Sequence, residues 1–61
     1  MRKIEMLPIE VDELLEYENR CGLNILLQEI VTMKQANKNY SVFKITDDNG
    51  LMLNYSVEER K

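Results

Sequence analysis

The groups able to do chemistry in this chain are carboxylates. Glu10, Asp12, Glu13, Glu16 and Glu18 fall in one short stretch, with Tyr17 among them. Paired carboxylates can share general acid–base work, and gathered ones can hold a hard cation. The rest of the composition argues against both. Histidine is absent, so imidazole-based acid–base or triad catalysis is excluded. Cys21 is the only cysteine, so the chain can form neither an internal disulfide nor a cysteine-based zinc cluster. The two glycines, Gly22 and Gly50, are too far apart for a phosphate loop. Nor does a helix face supply the loop that gathers oxygen ligands around calcium. The expectation is a protein that is not an enzyme, with no catalytic residue, cofactor or metal.

The carboxylates must then be read by the element that carries them. Pro8 suits the first position of a helix, and Glu10, Asp12 and Glu13 suit its first turns, where the dipole favours acids. Gly22 is a stop. The pattern predicts a helix over about 8–21. At about 100° per residue, Val11, Leu14, Leu15 and Cys21 share a stripe, with Cys21 a packing residue. Asp12, Glu13, Glu16 and Arg20 oppose them, with Glu10 and Tyr17 at the edge. Glu18 falls inside the apolar stripe; it either reaches water from the last turn or pairs with a lysine of a partner or of the next helix. Asn24 suits the cap of a second helix over about 24–37. There Leu26, Leu27, Ile30, Val31 and Met33 form an apolar arc about 160° wide, enough for two contacts. One long helix through Gly22 is the alternative, and the phase shift of the apolar stripe across Gly22 favours a break.

Arg2–Leu7 alternates as a short strand that Pro8 ends. Asn39–Lys61 holds Asp47-Asp48-Asn49-Gly50 between two alternating runs, a β-hairpin signal with strands over about 40–47 and 51–57. A two-residue turn at Asn49-Gly50 leaves both faces mixed. A three-residue loop, Asp48-Asn49-Gly50, pairs Ile45 with Leu53 and Phe43 with Tyr55. It puts Phe43, Ile45, Leu51, Leu53, Tyr55 and Val57 on one face, and a buried face selects register. Asp47 then opens a type I turn and Gly50 takes the left-handed position. Tyr40, Val42 and Met52 are left outward, as a dimer contact. The fold class is α+β: a short N-terminal strand and two helices packed on a C-terminal hairpin, in one domain over 1–61.

Sixty-one residues bury a small core, and chains of this size commonly lean on a metal, disulfides or a partner. A homodimer is the expected support. The lone cysteine fits a reducing cytoplasm, and no run approaches the roughly 20 apolar residues of a membrane span. The net charge of −3 argues against nucleic acid. The function expected first is a protein-binding regulator or inhibitor of phage or plasmid type, engaging a partner through Glu10, Glu13, Glu16 and Tyr17.

Arg2 and Lys3 in a short strand, then Leu7-Pro8, a four-turn helix, Gly22, Asn24 and an apolar second helix carry a resemblance. Over Met1–Val31 the chain resembles the ribbon–helix–helix repressors. That resemblance implies a strand paired across a dimer and inserted into the DNA major groove, with Lys3, Glu5 and Leu7 facing the groove. A DNA-binding repressor is therefore the alternative function. A small-ligand-binding dimer is a third, with no residue arguing for it.

Overall fold

Pro8 has no N–H to give a ladder, and its fixed φ is already helical. The chain accordingly leaves its first strand and enters a helix there. The computed structural model describes residues 1–61. Its elements are β1 (Arg2–Glu5), α1 (Pro8–Arg20), α2 (Ile25–Gln35), β2 (Tyr40–Thr46) and β3 (Met52–Glu59). The fold is α+β, as the patterning predicts, and the helix break falls at Gly22. Gly22 has φ +75°, and the amides of Gly22 and Leu23 close back onto Asn19 and Glu18 carbonyls. Asn37, at φ +55°, ends α2 the same way through Lys34 and Met33. Both helices thus stop on a left-handed residue that satisfies orphan carbonyls.

All three strands are antiparallel in the order β1-β2-β3. The helices cover one face, giving a two-layer slab of 35 × 31 × 16 Å. No helix is long and apolar enough to cross a membrane. The buried apolar core is Met6, Leu26, Ile30 and Val42, with Val11, Leu14, Leu15, Tyr40, Tyr55 and Val57 packed around it.

The hairpin loop is the predicted one. Asp47 N–H donates to the Leu51 carbonyl at 3.0 Å, and Gly50 sits at φ +86°. Asp47 Oδ1 also accepts the Asn49 and Leu51 amides, both at 2.9 Å. The facing of the strands is not as predicted. Thr46 pairs with Met52, but Ile45 pairs with Asn54, so Leu53 is an inserted bulge residue. A bulge reverses every later side chain relative to the partner strand. Tyr55 and Val57 keep the core side, now shared with Tyr40 and Val42. Phe43 and Ile45 move to the uncovered face, and Leu51 and Leu53 are exposed. The expected outward trio is corrected accordingly. Val42 is 4% exposed and Tyr40 packs on the core, so neither is a free dimer contact; Met52 is exposed, yet it lies opposite Thr46 and shares their helix-covered face. Phe43 is sheltered by the Lys3 ammonium, 4.9 Å from the ring centre, which also pairs with Glu58.

Glu18 neither reaches water nor meets a lysine. It is 6% exposed, with Oε1 accepting the Leu26 N–H at 2.9 Å and Oε2 accepting the Tyr55 hydroxyl at 2.8 Å. Leu26 lies in the first turn of α2, where amides lack helical partners. Asn24 stands at the cap position, yet its side chain makes no capping bond. The carboxylate of the neighbouring helix does that work, at the end where the dipole favours an anion. Cys21, expected to pack, is exposed. It follows the last residue of α1, where the chain has already turned away from the helical stripe.

Removing the Glu18 carboxylate strands a buried amide and a half-buried phenol. Glu18→Ala is expected to cost about 3 kcal/mol, and Tyr55→Phe about 1–2 kcal/mol, read from urea midpoints. Equal stability of Glu18→Ala and wild type would contradict this role. Thr46 is 1% exposed and its hydroxyl has no partner within the chain. Thr46→Val should therefore raise stability by about 1 kcal/mol in the same assay; a loss would mean that the hydroxyl is satisfied in solution.

Candidate functional site

An α-helix carries residues three and four apart on one face. On α1 this spacing joins Asp12, Glu13, Glu16 and Tyr17 with Ile9 and Arg20, opposite the stripe that packs on the core. All are exposed. Ile9 is 65% exposed and Tyr17 60%, two turns apart along the helix. Asp12, Glu13 and Glu16 make no ion pair or side-chain hydrogen bond in the chain, whereas Glu10, Asp48, Glu58 and Glu59 each have a cationic partner. The outer face of α1 is thus two apolar side chains with three free carboxylates between and beside them.

Ile9 is the residue that sequence reasoning missed. The signal was present, since about 100° per residue puts it between Glu16 and Glu13.

Glu10 does not lie with the other three. Its Oε1 accepts the Leu7 N–H at 3.0 Å, and its Oε2 receives Lys44 Nζ at 2.5 Å. Leu7 caps α1 without a side-chain acceptor, so Glu10 reaches back to the cap amide. The Lys44 ammonium, then the Leu7 amide, hold the Glu10 carboxyl below its ordinary value. Glu10 is therefore the peg that fixes the first turn of α1 to β2, and it sets the tilt of the outer face. Glu18 fixes the other end of the helix. The structure thus brings Glu13, Glu16 and Tyr17 together and turns Glu10 inward. Tyr40, Val42 and Met52 do not form a patch.

The widest concavity is an open groove of about 320 Å³. Met6, Pro8, Val11, Tyr40 and Val42 line it together with Glu5, Asp12 and Arg60. No three of the chain's Cys, Asp and Glu side chains come together as a metal would require. Arg2 and Lys3, which the ribbon–helix–helix resemblance would send into DNA, belong to a strand already paired with β2 of its own chain. Arg2 lies opposite Thr46 and Lys3 opposite Ile45, so their side chains leave the sheet on different faces.

Three groups have titrations moved by their surroundings. Glu10 and Glu58 are both lowered, chiefly by Lys44 and Lys3. Lowered carboxylates stabilise the fold above the unfolded value, and that contribution is lost as pH falls through the folded one. Tyr55 is pushed up to about 12 by burial, then by its bond to the Glu18 carboxylate. A raised phenol contributes fully below its ordinary value of 10.0 and loses that contribution as pH climbs toward about 12. Glu10→Gln should shrink the acid limb and Tyr55→Phe the alkaline limb in urea titrations against pH; unchanged limbs would contradict the assignments. No protein-family model matches this chain, and no curated protein or solved structure matches it.

Proposed function

We propose that this chain is a small non-enzymatic binding protein, a regulator or inhibitor of phage or plasmid type. It acts as a homodimer and engages a basic surface of another protein through the outer face of α1. The observation that carries the reading is the pairing pattern of the acids. Glu10, Glu18, Asp47, Asp48, Glu58 and Glu59 are tied to cations, a phenol or backbone amides, while Asp12, Glu13 and Glu16 stand free together beside Ile9 and Tyr17. Exposed aromatic and aliphatic side chains supply anchoring area, and a surrounding field of one sign steers a partner of the other. The net charge of −3 supports a basic protein partner over a phosphate backbone. Homodimerisation is supported by the imbalance of apolar surface: four hydrophobic side chains are buried and twelve large ones exposed. Such an excess on so short a chain marks an interaction surface. The exposed thiol of Cys21 suits a reducing cytoplasm.

The test is affinity purification from the native host with wild type and Glu13→Lys plus Glu16→Lys as baits. Both residues are exposed, so circular dichroism should show the fold unchanged. Recovery of a basic protein is expected to fall at least about tenfold with the variant. Equal recovery removes the acidic face from the account. Recovery of nucleic acid that is released by salt would overturn protein binding altogether.

A further inference from the structure

The two edges of the sheet are not alike. Met6 N–H donates to the Val42 carbonyl at 2.8 Å, which fixes the phase of the β1–β2 ladder. In antiparallel pairing, alternate residues point their N–H and C=O to either side. Arg2, Ile4 and Met6 therefore bond toward β2, while Lys3 and Glu5 present theirs outward from the sheet. The next outward amide, Leu7, is already taken by Glu10 at 3.0 Å. The opposite edge is interrupted. By the same alternation Tyr55 points outward from β3, and its amide is 2.8 Å from the Asn54 side-chain oxygen. The Leu53 bulge breaks the ladder on one side of it, and Glu58 and Glu59 follow on the other. Bulges and charges are how edges are kept from pairing. Val57 and Glu59 also turn their backbone groups outward from β3, but between the bulge and the charges; β1 is the edge that no bulge interrupts.

We propose that β1 pairs antiparallel with β1 of a second copy, in the register centred on Ile4. A two-fold axis through an antiparallel pair must set one residue opposite its own copy. Centring on Lys3 would oppose two ammonium groups, and centring on Glu5 two carboxylates. Centring on Ile4 sets Ile4, 42% exposed, against its counterpart, and Lys3 against the partner's Glu5 at both ends. This register also uses every outward group of β1, because Lys3 and the partner's Glu5 then exchange both N–H···O bonds. It brings Met1 level with the partner's Leu7, both exposed apolar residues. Glu5 has no cationic partner in its own chain, so the pairing supplies one. Lys3, half exposed and bound to Glu58 on its inner side, has its outer side free for the partner's Glu5. The product is a continuous six-stranded sheet with both copies of α1 on the same face, a bivalent form of the surface above.

This inference rests on the two-copy part of the proposed function, and the test separates the two. Wild type, a synthetic chain with the Glu5 amide N-methylated, Glu5→Lys, and Lys3→Glu plus Glu5→Lys are compared by sedimentation velocity, with circular dichroism as the fold control. Wild type is expected at twice the 7.2 kDa of one chain. N-methylation removes one interchain bond from each copy and no intrachain bond, so the dimer dissociation constant should rise about a hundredfold. Glu5→Lys should weaken the dimer and the double exchange should restore it, which decides the matter even if the N-methylated chain fails to fold. A wild type that stays monomeric overturns both the interface and the two-copy reading. A dimer indifferent to N-methylation and to Glu5→Lys overturns the β1 interface alone.

Discussion

Everything that positions the outer surface depends on one buried carboxylate. Glu18 belongs to α1, bonds the first turn of α2 and bonds Tyr55 of β3. Three elements meet on two oxygens, in a protein whose buried apolar core is only four side chains. A core that small leaves the angles between elements loosely defined, because hydrophobic burial has no direction. Hydrogen bonds to a charged, desolvated acceptor do have direction and are stronger than neutral ones. Burial of a charge is costly, and the cost is met here by a helix terminus and a phenol rather than by a cation.

Glu10 plays the matching part at the other end of α1. Its two oxygens hold the cap amide of Leu7 and the ammonium of Lys44. With both ends of the helix tied to the sheet or to α2, the face bearing Ile9, Asp12, Glu13, Glu16 and Tyr17 is held in one orientation. The acids of α1 thus divide by task. Two are consumed by architecture, and three stay unpaired. Helix position decided which: Glu18 lies in the apolar stripe and Glu10 at its border, whereas the free three lie opposite.

Much of this was legible in the residues. Pro8, Gly22 and the Asp47–Gly50 turn marked the element boundaries, because each restricts the backbone by itself. The helix break followed from the phase shift of the apolar stripe across Gly22; the three-residue loop was reached through an apolar facing that the strands do not keep, with Asp47 and Gly50 agreeing. The facing of the hairpin was not legible, because the Leu53 bulge is an insertion that turn chemistry neither requires nor forbids. Beyond the bulge the pairing found, Ile45 with Asn54 and Phe43 with Ser56, is the one that leaves both strand faces mixed. Glu18 stands out in the apolar stripe, but its partners lie 8 and 37 residues away and share no pattern with it. Asn24 shows the converse: a residue of the right type stands at the cap while another does the capping.

The Glu18 junction has a direct signature in amide hydrogen exchange. First-turn helix amides ordinarily exchange with little protection, since they lack helical acceptors. Measured by NMR at neutral pH, the Leu26 amide should exchange only through global unfolding, with the protection of the most stable β2 amides. Exchange of Leu26 near the rate of an unstructured amide, in an otherwise folded chain, would contradict the account.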